Sequence, residues 1–170
     1  MTSNVMRHQP TIIGAANHFH TCLIDDPTRP TNPLPITIKA VAEPPSYTGL
    51  SQWPRTTTAI TAAFGRRLAE TLRLSVGDTA TARLAPESGS WIVPAVPLEM
   101  VASFHLSFAE FDERWIVVPL DAVLEALPGS GVAGIEVVLD DPMAVGSLRP
   151  ALEAAAPDLL LTDWRELNGA

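Results

Sequence analysis

The chain lacks most of the features that announce a chemical activity. Its 170 residues hold one cysteine, one tyrosine and one lysine, and only 18 % of them are charged. A lone Cys22 excludes an internal disulfide and leaves the redox compartment open. With Tyr47 and Lys39 the sole representatives of their kinds, the usual acid–base repertoire is thin. Gly65 and Gly77 stand alone, so there is no glycine-rich phosphate loop, and no Gly-x-Ser-x-Gly nucleophile elbow occurs. The best apolar run, residues 115–120, contains a proline and falls well short of the ~18–20 residues of a spanning helix. Residues 1–10 have no apolar core of a secretory signal. Cations are scarce as well: eleven Lys+Arg face nineteen Asp+Glu, for a formal charge of −8. That disfavours nucleic acid and anionic lipid, both of which need a basic footprint. The residues therefore point away from an enzyme, no cofactor is expected, and the chain read alone is a soluble globular one.

What is present is apolar and proline-rich. At 46 % hydrophobic residues the chain is no disordered tail, and at this length roughly 70 % of the unfolded surface can be buried. The sixteen prolines gather in residues 27–54 and 86–97, which should be loops or edge strands. Acid gathers too: from Leu120 onward nine carboxylates face only Arg149 and Arg165. This is either ordinary solubilising charge or a surface for a basic partner.

Periodicity divides the chain. Residues 18–24, 36–41 and 79–84 alternate as half-buried strands, and 91–93 and 100–108 are strand-like. Ile60, Phe64, Leu68 and Leu72 recur every four residues and predict one helix over 58–74. After Phe111 the rhythm becomes strand (115–119), helix (121–127), strand (135–139), helix (143–156, weakened by Gly146 and Pro150) and strand (159–161), with a further helix start at Thr162-Asp163-Trp164. The expected fold is α+β. It comprises an unplaced N-terminal extension (1–35), a β-rich subdomain with one helix (36–111) and a βαβαβ subdomain (112–170).

One cluster has metal-ligand character. His18, His20 and Cys22 fall on one face of a strand, with Asp25 and Asp26 close behind. Neighbours on such a face lie nearly 7 Å apart, so joint ligation needs a bend. A polar strand face with a half-buried thiol is the plainer reading. A metal-binding protein or enzyme built on these three residues stands as an alternative function. His8 and His105 are isolated and read as structural or surface residues.

Four segments share an order and spacing with a known family. They are Phe64-Gly65-Arg66-Arg67-Leu68-Ala69 running on to Leu72-Arg73-Leu74-Ser75-Val76-Gly77-Asp78-Thr79, then Phe111-Asp112-Glu113-Arg114-Trp115-Ile116-Val117-Val118-Pro119-Leu120-Asp121-Ala122, then Gly131 to Pro142, and finally Thr162-Asp163-Trp164-Arg165-Glu166-Leu167-Asn168. Together they resemble the extracytoplasmic domain of the lipoprotein-releasing (Lol-type) ABC transporter permeases and the wider MacB-like, FtsX-like permeases. The likeness covers residues 58–170.

The resemblance implies a non-catalytic periplasmic domain, an excised loop of an inner-membrane permease. Such a domain couples ATP hydrolysis by a cytoplasmic subunit to a lipoprotein or other envelope substrate. It also implies partners, among them the cytoplasmic ATPase and a periplasmic carrier recruited through a hairpin. The matching stretch here, residues 86–97, carries Trp91, Ile92 and Val93, which form either a docking edge or part of the β-subdomain core. A solitary soluble interaction domain is a further alternative.

Overall fold

The computed structural model describes residues 13–27, 32–84, 95–126, 134–139 and 141–167. The chain divides into two compact units, Ala15–Glu136 and Val137–Ala170 with Met1–Gly14.

The larger unit is built on six strands: β1 (Ile13–Ile24), β2 (Leu34–Val41), β3 (Ile60–Gly65), β4 (Thr79–Leu84), β5 (Ala95–Phe104) and β6 (Trp115–Pro119). Helix α1 (Arg66–Leu72) follows β3, α2 (Ala109–Arg114) precedes β6, and α3 (Leu120–Ala126) follows it. The strands pair in the order β2-β6-β3-β5-β4-β1, and β1 also pairs with β2. The ring therefore closes. Cys22 sits opposite Ile36 on one side and Leu84 on the other. β5–β3 and β6–β2 are parallel, and the remaining pairings are antiparallel. Closure leaves no long open edge among these six strands.

Strand alternation fills the ring. Ile24, Ile36, Ile38, Ala62, Phe64, Leu98, Ile116 and Val118 form one buried cluster, capped by Leu68 and Leu72 of α1 and Val123 of α3. Their sequence neighbours Val41, Ala63 and Val117 face the other way, into a second cluster with Ala102 and Phe104. Tyr47, Leu50 and Trp53, from the connection between β2 and β3, cover that second face. A bulge assigns residues to the two clusters. Ala62 pairs with Met100 but Ala63 pairs with Ala102, so Val101 is an extra residue that flips the following side chains of β5 to the opposite face.

Two expectations fail in this unit. The single helix over 58–74 is a strand, β3, followed by the seven-residue α1. The fourfold recurrence of Ile60, Phe64, Leu68 and Leu72 is real. However, Thr61, Ala62, Ala63 and Gly65 are buried as well, so residues 61–65 have no polar face to orient a helix. Gly65 makes the turn from strand to helix against α2, where a Cβ would lie 2.7 Å from the Phe111 carbonyl oxygen. The division expected at Phe111 is also absent. β6 pairs with β2 and β3 inside the ring, and β1, placed in the supposed extension 1–35, closes it.

The chain leaves this unit along β7 (Gly134–Val138). In the smaller unit a 3-10 turn, Pro142–Ala144, leads into α4 (Val145–Ala155), and α5 (Trp164–Leu167) comes last. The Asp141 carboxylate accepts from the Met143 N–H at 2.9 Å and starts this helical run. Residues 159–161, expected to form the last strand of a βαβαβ unit, are not a strand. Leu160 is 92 % exposed and Leu159 55 %, and no strand among the described residues pairs with the run. Together with the place of β6 inside the ring, this removes the βαβαβ subdomain. The fold is mixed α/β nonetheless.

Candidate functional site

Of the residues singled out from sequence, the structure places some and not others. β4 and β5 form an antiparallel pair, from Thr79 opposite Glu99 to Arg83 opposite Ala95. The segment joining them carries Trp91, Ile92 and Val93 and lies outside the described residues. His18 and His20 sit on β1 opposite Ala40 and Ile38, two positions apart, and their side chains are also outside the description. Cys22 is 3 % exposed and belongs to the apolar cluster inside the ring. Asp25 is engaged by Arg83 through two hydrogen bonds of 3.2 and 3.3 Å. Among the described residues no group of His, Cys, Asp and Glu is arranged to hold a metal ion.

A polar centre that sequence reading passed over lies where β5 gives way to α2. Asp112, on α2, is buried. Its Oδ1 accepts from the Leu106 N–H at 2.7 Å, and its Oδ2 meets Nδ1 of His105. Burial pushes the Asp112 carboxyl up. The Leu106 N–H, the His105 side chain and the charge of Arg66 outweigh that and hold it below the usual carboxylate range. The centre thus fixes the corner through which the chain passes from β5 into α2 and β6. Beside it, Phe108, Phe111 and Trp115 meet edge to face, with ring centroids 5.8 and 4.4 Å apart. Phe108 is 69 % exposed at the outer end of this ladder. The cue in the sequence was His105 and Asp112 seven residues apart, a spacing that shares a face only on one continuous helix, which residues 105–112 do not form.

The smaller unit is organised by charge. Asp163 and Glu166 form a reciprocal capping box on α5: the Asp163 Oδ1 accepts from the N–H groups of Arg165 and Glu166, and the Glu166 Oε2 accepts from the Asp163 N–H at 3.1 Å. Arg149 of α4 reaches Glu153 and Glu166, both at 2.9 Å, and donates to the Leu161 carbonyl at 3.0 Å. The Arg165 side chain, with help from backbone N–H groups, holds the Asp163 carboxyl at about 2. Of the nine carboxylates that sequence reading found in the last third, Glu153, Asp163 and Glu166 are thus paired by Arg149 and Arg165.

No helix among the described residues is long and apolar enough to cross a membrane. No known family and no curated protein matches the sequence. Solved structures do match. The extracellular domain of the noncanonic ABC-type transporter YknZ from Gram-positive bacteria is 12 % identical, with a TM-score of 0.52 over 85 % of this chain and 75 % of that one. The periplasmic region of MacB from Actinobacillus actinomycetemcomitans is 15 % identical, with a TM-score of 0.50 over 85 % of this chain and 67 % of that one. The fold of this chain is thus similar to that of these two transporter domains.

Proposed function

We propose that the chain is the extracytoplasmic domain of a MacB-like ABC transporter permease, held at the outer face of the inner membrane. In this reading it is a non-catalytic module. ATP is hydrolysed by a cytoplasmic subunit, and the domain passes the resulting conformational change to an envelope substrate, a lipoprotein among the candidates, or to a docked carrier. The observation that carries the reading is the match of the mixed sheet and its helices, over most of the chain, to two extracytoplasmic transporter domains. Trp91, Ile92 and Val93, on the connection between β4 and β5, are the proposed docking residues, since large apolar side chains dominate interface energetics.

The test is made on the protein as its cell produces it. Tagged at the chromosome, it is expected to sediment with inner membrane and to co-purify with a nucleotide-binding subunit. Recovery in the soluble fraction with no ATPase would overturn the transporter reading. Replacing Trp91, Ile92 and Val93 together with alanine is expected to abolish crosslinking to an envelope partner while leaving ATPase association intact. Unchanged crosslinking removes the docking assignment alone.

A further inference from the structure

We draw no further inference here: the strongest candidate, the surface patch at the β5–α2 corner where Phe108 is exposed and the His105 imidazole half-exposed, belongs to the polar centre already described, and nothing in the structure shows what covers it.

Discussion

The two units of this chain are held together by different forces, and the difference sets how each responds to its surroundings. Ala15–Glu136 is a closed ring around aliphatic and aromatic side chains, with Ile24, Phe64 and Ile116 fully buried. In Val137–Ala170, Val145 is the only buried apolar side chain among the described residues, and Asp163 is the buried polar one. Apolar burial is indifferent to pH and weakly sensitive to salt, whereas ion pairs lose strength as salt screens them or acid protonates them. The ring should therefore behave as a rigid scaffold and the α4–α5 unit as a charge-clasped attachment.

The largest blow to the scaffold is predicted for Phe64→Ala, which empties the middle of the ring. Urea unfolding should show a loss of about 3–5 kcal/mol. A loss below about 1 kcal/mol would mean that the ring collapses around the void and is less rigid than described. Gly65→Ala comes next, at about 1–3 kcal/mol, because its Cβ meets the rigid backbone of α2 instead of a movable side chain. Asp112→Ala should cost a similar about 1–3 kcal/mol by leaving the Leu106 N–H without its acceptor. His105→Ala, which leaves that bond in place, should cost less.

The contrast itself is sharpened by acid. Asp163 titrates at about 2 in the folded chain against an ordinary 3.8, so its contribution is complete above the ordinary value and is lost as pH falls towards 2. Hydrogen exchange between pH 4.5 and 2.5 should show protection failing first around α5 and the end of α4, while β3, β5 and β6 hold. Equal loss in both units would erase the distinction between them. The smallest effect is expected at Arg67→Ala. It removes a half-exposed ion pair with Glu113 at 2.7 Å and should change stability by less than about 1 kcal/mol, an amount that disappears in high salt.

Legibility in the sequence followed the range of the forces involved. β4 over 79–84, the helix α3 and the helical run after Pro142 were readable because turns, caps and local periods specify them. So was the helix start at Asp163, where an acidic cap precedes Glu166 by three residues. β3 was not readable: Ala62 and Ala63 carry no preference strong enough to break a fourfold apolar repeat, and only β5 and β6 on either side make residues 60–65 extended. Nor was the His105–Asp112 centre, which exists because the chain turns back on itself at α2.

By itself, the sequence determined several individual strands and helices, the acidic balance, the shortage of catalytic side chains and the ordered segments resembling a permease ectodomain. Those properties reside in residue types and in spacings of a few positions. Only the tertiary structure decided that β1 closes the sheet, that β6 belongs to the ring, and that His105 and Asp112 meet. The two strand placements depend on pairing between residues tens of positions apart, where the free energy comes from burial after the chain has closed and leaves no local period to read.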